Sequence, residues 1–285
     1  NEEGIALYLC KFNKINNNIG NNNTSCGINI GGANYENKIN DNVIESNNVG
    51  IAQQSSNENK IFNNNATYND SGMFLRGGSN NTILGNIFRK NGKGIHMDSF
   101  SNNNNITNNI IIDNVFDGIE IRDSIGNAIT TNLILSQGDA GIRLNRANKT
   151  EIMHSRFDGN FYGIYFDISS HNTTALNNNF TNNGMGISIQ SSNTFNTIYN
   201  NSFISNTFMA AEDKGANNNW NSTLIGNYWD DYSGSDLNDD GIGDDPYNIT
   251  GLAGSRDYLP IWDDGPEIIP PGSFTLNSTA DSPDT

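Results

Sequence analysis

A Gly-apolar-x-apolar tetrad returns along the chain at nearly constant spacing. It reads Gly4-Ile5-Ala6-Leu7, Gly27-Ile28-Asn29-Ile30, Gly50-Ile51-Ala52-Gln53 and Gly72-Met73-Phe74-Leu75, then Gly94-Ile95-His96-Met97 and Gly118-Ile119-Glu120-Ile121. Three further copies start at Gly141, Gly163 and Gly186, and a degraded tenth falls at Met209-Ala210-Ala211-Glu212. Successive glycines of the first nine copies lie 22 to 24 residues apart. Many tetrads are preceded, eight or nine residues upstream, by an Asn-x-apolar stretch such as Asn86-Ile87-Phe88 or Asn109-Ile110-Ile111. A third apolar position lies just before that, at Ile39, Ile61, Ile83, Ile106, Ile129 and Ile152.

Three short strands per period, each too short to bury a face alone, predict one coil of a solenoid in which stacking buries Ile on Ile. Period-2 alternation places both apolar residues of each tetrad inside. The expected fold is therefore all-β: a right-handed, single-stranded parallel β-helix of about ten coils of 22–24 residues. The repeated Asn at a turn fits, because its amide can bond the equivalent Asn one coil away and build a ladder. The tetrad glycine is expected at a bend that a Cβ would obstruct. Leucine-rich repeats share the period but need Leu at fixed sites, which are missing.

Past Trp220 the pattern changes to Gly226-Asn227-Tyr228-Trp229-Asp230-Asp231-Tyr232 and an acidic stretch ending at Tyr247. An exposed last coil is an aggregation edge, so a cap is expected, with Tyr228, Trp229, Tyr232 and Tyr247 as its plug. The domain reading is coils over 1–225, a C-terminal aromatic and acidic cap over 226–262, and a Pro-containing linker over 263–285 leading to further domains of a longer chain. The chain opens in mid-repeat, which also suggests a longer protein. Oxygen ligands at alternate positions, Asp236, Asn238, Asp240, the Ile242 carbonyl and Asp244, with Gly241 at the sharp turn, predict a structural calcium loop. Tyr247 stands where a full EF-hand has its bidentate Glu, and a solvated acidic turn is the alternative. No organic cofactor is expected.

Composition narrows the partners. The 285 residues carry a formal charge of -16, which argues against nucleic acid. Mean hydropathy is -0.57 although only 16% of residues are charged; asparagine accounts for the difference. No stretch is apolar enough for membrane insertion. Cys10 and Cys26 do not make a disulfide framework and read as small buried residues.

These coils, closed by Gly226-Asn227-Tyr228-Trp229-Asp230-Asp231-Tyr232 and by Asp257-Tyr258-Leu259-Pro260-Ile261, resemble the NosD-type β-helix family, also called the carbohydrate-binding and sugar-hydrolysis type, over about Gly4 to Trp262. The Asn-rich style is similar to archaeal surface proteins such as the disaggregatases, which depolymerise a chondroitin-like polysaccharide. The resemblance implies a glycan partner and an extracellular or envelope location. Asn-x-Ser/Thr sequons such as Asn105-Ile106-Thr107 point the same way. The family name also invokes periplasmic copper delivery, but no Cys/Met/His cluster is visible, and His96, His154 and His171 fall on different coils.

Function must be argued from the site. The third and fifth residues of each tetrad strand face outward. Chemistry concentrates there on the middle coils: Phe74 and Arg76, His96 and Asp98, Glu120 and Arg122, Arg143 and Asn145, Tyr165 and Asp167, with Asp123 and Arg146 at the strand ends. The last coil would present Ala211 and Asp213. Coils about 4.8 Å apart set Asp98 and Glu120 roughly 8 Å apart on a diagonal, a separation suited to an inverting glycoside hydrolase. The expected catalytic residues are Asp98, Glu120, Asp123, Asp167 and His96. Arg122 is expected beside Asp98 and His96 beside Glu120; an arginine beside a carboxylate holds it ionised and a carboxylate without one can stay protonated, which leaves open which of the two is acid and which is base. Arg76, Arg122, Arg143, Asn145 and Arg146 are expected to bind the glycan, the arginines gripping uronate carboxylates, and Tyr165 and Phe74 to stack on sugar rings. The expected activity is a polysaccharide depolymerase acting on an extended uronate- or galactosamine-containing glycan. A lyase using His96, Arg143 or Tyr165 as base, and a non-catalytic glycan-binding or surface module, are the alternatives. Cross-coil salt bridges are the purely structural one.

Overall fold

The computed structural model describes residues 1–262; the linker expected over 263–285 lies outside them. Three parallel sheets run the length of the solenoid. The first has ten strands, from Glu3–Tyr8 to Met209–Asp213. The second has nine, from Lys14–Asn16 to Thr197–Tyr199. The third has ten, from Ile19–Asn21 through Ser202–Ile204 to Tyr228–Trp229. Each coil but the last contributes one strand to each sheet, as the threefold apolar pattern requires.

Burial follows the alternation. Ile95, Met97, Ile119 and Ile121 of the first sheet, Ile83 and Ile106 of the second, and Phe88 and Ile111 of the third have no solvent-accessible surface. The asparagines form ladders at the corners. The Asn64 backbone N–H and Nδ2 both donate to Asn86 Oδ1, at 2.9 and 3.0 Å. Nδ2 also donates to the Ile39 carbonyl of the preceding coil at 2.9 Å. This column continues through Asn109 and Asn132, passes Ser155, and ends at Asn227. Along this column, up to Asn201, the residue before each ladder position takes a left-handed conformation, as at Asp41, Asn63 and Asn108, and Asn and Asp accept that conformation more readily than other non-glycine residues. Asparagine therefore has two separate reasons to recur at each corner.

The tetrad glycines do not make the expected bend; none has a left-handed φ. They are needed for close approach. A Cβ on Gly94 would lie 2.5 Å from the Gly118 carbonyl oxygen and 2.7 Å from Ile111 Cγ2.

At the C-terminal end a column of stacked rings leaves the core. Phe157, Phe180, Phe203, Trp229 and Tyr247 follow one another with centroids 4.9, 4.9, 4.3 and 4.2 Å apart. Two buried carboxylates fasten this end. Asp257 accepts bonds from the Asn227 backbone N–H, Trp229 Nε1 and the Leu259 N–H. Asp213 accepts from Trp220 Nε1 and Ser255 Oγ. Asp213 and Ala211 thus point inward, contrary to expectation. Ser188 pairs with Glu212, so the true outward residue of the tenth strand is Glu212; the degraded repeat had concealed a one-residue slip, which exchanges faces.

Candidate active site

The outer row of the first sheet is continuous in register: Phe74, His96, Glu120, Arg143, Tyr165, Ser188 and Glu212 stand on successive strands. The fifth positions pair Arg76 with Asp98 and Arg122 with Asn145. A bulge between Leu144 and Asn145 then shifts the register, and Asn145 Nδ2 reaches Asp167 at 3.3 Å. The structure gathers several of the predicted residues into two networks, one on Glu120 and one on Arg143, beside a separate Asp123–Arg146 pair.

The first network centres on Glu120. Its carboxylate, 1% exposed, is bonded by Lys93 Nζ and by Arg122 Nε and NH2, each of the two Arg122 contacts at 2.6 Å. His96 Nε2 lies 3.5 Å away, and the His96 ring packs on Phe74 at 4.9 Å. Burial alone would raise the Glu120 carboxyl, but Lys93, His96 and Arg122 outweigh it and hold the group below the usual range. Burial lowers the His96 imidazole; Lys93 and Arg122 add to this and Glu120 opposes it. His96 is therefore neutral at ordinary pH.

This reverses one expectation. Arg122 holds Glu120, on its own strand, rather than Asp98, so Glu120 is a covered carboxylate kept below its usual range. Asp98 accepts the Ser99 N–H at 2.6 Å and has no ion pair among the described residues. Lys93 was not anticipated, because alternation carried back from the tetrad puts it inside. Pairing skips the glycine, however: Ser71 pairs with Lys93 and Met73 with Ile95, so alternation is broken there and no sequence signal marks it.

The second network centres on Arg143. Its Nε lies 3.1 Å from both Asp117 oxygens, NH2 lies 2.5 Å from Asp139 and NH1 lies 3.7 Å from Asp167. The guanidinium also sits 4.7 Å above the Tyr165 ring. Burial pushes the Asp117 carboxyl up despite Arg143. Arg146 pairs with Asp123 at 2.5 Å, and this hydrogen bond holds Asp123 down. Arg143 and Arg146, expected as glycan-binding residues, are thus each paired with carboxylates of the face. Arg76 is exposed and has no ion pair among the described residues.

In the acidic loop, Asp236 accepts the Gly241 N–H at 2.8 Å, Asp240 accepts the Ile242 N–H at 2.9 Å and Asp244 accepts the Leu237 N–H at 2.8 Å. Asn238 Nδ2 donates to Asp240. The side chains bond their own loop, and among the described residues no three His, Cys, Asp or Glu side chains converge as a metal site.

Residues 92–234 match the family described as "Periplasmic copper-binding protein (NosD)", and residues 1–134 match "Right handed beta helix region". Copper does not fit the residues present. His96 lies on the first sheet, His154 beside the second, His171 Nδ1 is taken by Thr194 at 2.8 Å, and Met73 and Met97 are sealed in the core. No curated protein sequence matches the chain. Among solved structures, the periplasmic alginate epimerase AlgG is similar over 61% of this chain and 48% of its own, with 21% identity and a TM-score of 0.54. DFA-IIIase from Arthrobacter chlorophenolicus A6 in complex with DFA-III is similar over 70% of this chain and 58% of its own, with 13% identity and a TM-score of 0.57. The chain spans about half the length of the epimerase structures it matches. With half of its length matched by that family's model, the chain belongs to the NosD family of right-handed β-helices.

Proposed function

We propose that the protein is an extracellular or envelope enzyme that degrades an extended polysaccharide on the middle coils of the first sheet, by β-elimination beside a uronate. The observation that carries this reading is His96, set between Phe74 and the Glu120 carboxylate with Lys93 and Arg122 on the same carboxylate. Arg76, Lys93 and Arg122 against Asp98 and Glu120 make three positive and two negative charges, a net of +1 on a chain of -16. A uronate carboxylate is attracted to that island, and its neutralisation acidifies the C5 proton. His96 removes the proton, the electron pair forms the C4–C5 double bond, the bond from C4 to the leaving oxygen breaks, and solvent protonates that oxygen. Glu120 is a positioning residue that fixes the cations and the imidazole. Solved β-helices of similar fold that are titled as an alginate epimerase and as a DFA-III complex support a carbohydrate substrate.

Hydrolysis is the second reading, favoured by one observation: Asp98 is the face carboxylate without a cationic partner among the described residues. Treating uronate polymers with wild type, His96→Gln and Asp98→Asn separates the two. Products absorbing in the ultraviolet, lost by about 10²-fold or more in His96→Gln, establish elimination. Reducing ends without that absorbance, lost in Asp98→Asn, establish hydrolysis. No release of either kind from any glycan leaves a binding module.

We also propose Asp236, Asn238, Asp240, Ile242 and Asp244 as a structural calcium site. Asp240 and Asp244 must turn from loop amides to the ion, so the expected outcome is a higher Tm in calcium than in chelator.

A further inference from the structure

Beyond the charged centre, the late coils carry a ridge of exposed rings that the proposed chemistry does not use. Phe116, Phe161 and Phe208 are 55%, 43% and 63% exposed. Each stands in the turn leading into the first sheet, on every second coil, before Gly118, Gly163 and Ala210. Two coils advance the axis by about 9.6 Å, close to two pyranose units of an extended glycan. Phe161 and Phe208 lean together, with centroids 5.8 Å apart. Gly184 on the intervening coil permits this: a Cβ there would stand 3.2 Å from two ring carbons of Phe208. Tyr162 continues the surface, edge-on to Phe161 at 4.7 Å and stacked on Tyr165 at 4.6 Å. The ridge is therefore joined to the sheet face without a gap.

The charge around the ridge is opposite to that of the His96 island. Asp117, Asp139, Asp167 and Glu212 stand against Arg143 and Lys214, four negative and two positive, a net of -2. Arg143 is held by three of those carboxylates and Lys214 Nζ by Glu212 at 2.8 Å. No open cation remains here to receive a sugar carboxylate, while Asp139 and Asp167, with side chains 40% and 28% exposed, offer acceptors to hydroxyl and amide groups. Rings that stack on the C–H face of a sugar, flanked by acceptors and excess negative charge, fit a sugar without a carboxylate and repel a polyuronate.

We propose that the Phe161–Tyr162–Phe208 ridge is a second glycan subsite, selective for sugar units that carry no carboxylate. It rests on the reading of the middle coils as a glycan-acting face. The target is then a mixed glycan, with a uronate over the His96 island and uncharged units over the ridge.

The test is calorimetric binding of uncharged hexasaccharides (cello- and N-acetylchito-) and of hexagalacturonate to the full chain, wild type against Phe161→Ala/Phe208→Ala and against Arg122→Ala. Thermal melts check that each variant folds. Loss of two stacking rings is expected to weaken an uncharged hexasaccharide about tenfold and to leave hexagalacturonate unchanged. Hexagalacturonate binding that falls with the two phenylalanines overturns the subsite. So does the absence of ridge-dependent binding by either uncharged hexasaccharide. Self-association of wild type that vanishes in the double variant also overturns it, because the ridge would then be an interface between copies. Hexagalacturonate binding indifferent to Arg122→Ala counts against the uronate island alone and leaves the ridge standing.

Discussion

Glu120→Gln is the substitution on which the two roles of the centre diverge most clearly. The amide keeps the shape of the side chain and removes its charge. At 3.5 Å from His96 Nε2, a unit charge stabilises the imidazolium by about 1 kcal/mol at the dielectric of water and about 5 kcal/mol at an effective value of 20. In the wild type this is the main attraction that opposes burial, Lys93 and Arg122. Without it, burial, Lys93 and Arg122 favour the neutral ring and only the weaker attraction of Asp98 opposes them. His96 in the variant must therefore stay neutral to lower pH than in the wild type. Proton NMR titration reads this directly, with His154 and His171 as internal references. Because the base acts when neutral, the acid limb of kcat/KM moves down in pH with it, while kcat falls as the ring and both cations lose their anchor. Folding weakens by about 1–3 kcal/mol rather than more, since Lys93 and Arg122 side chains, 24% and 41% exposed, regain water. If His96 titrates at higher pH in the variant, or if the acid limb moves up, Glu120 does not act on His96 as described and the assignment of His96 as base fails.

Three further outcomes test the framework around the centre. Asn109→Ala removes the acceptor of the buried Asn86 N–H and the donor to the Ile83 and Thr107 carbonyls; denaturant melts should show a loss of about 2–4 kcal/mol. Asp257→Ala strands the Asn227 N–H, Trp229 Nε1 and Leu259 N–H and should cost about 3–5 kcal/mol, read as earlier hydrogen exchange at the cap than in the middle coils. For the acidic loop, calcium at a hundred times its Kd should add about 2.7 kcal/mol; a Tm equal in calcium and in chelator refutes the site.

The solenoid was legible because a single residue type carries each structural duty once per coil. Ile95 and Ile119 bury the same point on successive turns, and Asn86 and Asn109 occupy the same corner, so spacing alone recovers strands, register and the outward row. Legibility ended where the duty was performed by geometry between coils. The glycines were read as bends, whereas they make room for the neighbouring carbonyl. Lys93 was missed because the glycine beside it interrupts alternation. The tenth coil slipped by one residue because Ala210 replaced the glycine that marked the register. Over the middle coils the charged side chains fall on one row as expected, but which carboxylate each arginine would choose depends on side-chain reach, and Arg122 bends back to Glu120 within its own strand.

The burial of Glu120 is informative because the fold does not need it. Asn29, Ala52 and Ser188, at the same outward position on other coils, are also buried, and none of them brings a charge. A carboxylate at that position is costly unless cations cover it, and here two cations and an imidazole do so. A purely stabilising salt bridge would be satisfied by one partner, and replacing the group by an amide or methyl, as other coils do, avoids the desolvation altogether. What the carboxylate adds is a fixed orientation for two cations and an imidazole on an acidic protein. That arrangement supports the proposal that removal of a proton beside a negatively charged group falls to Glu120's neighbours rather than to Glu120 itself.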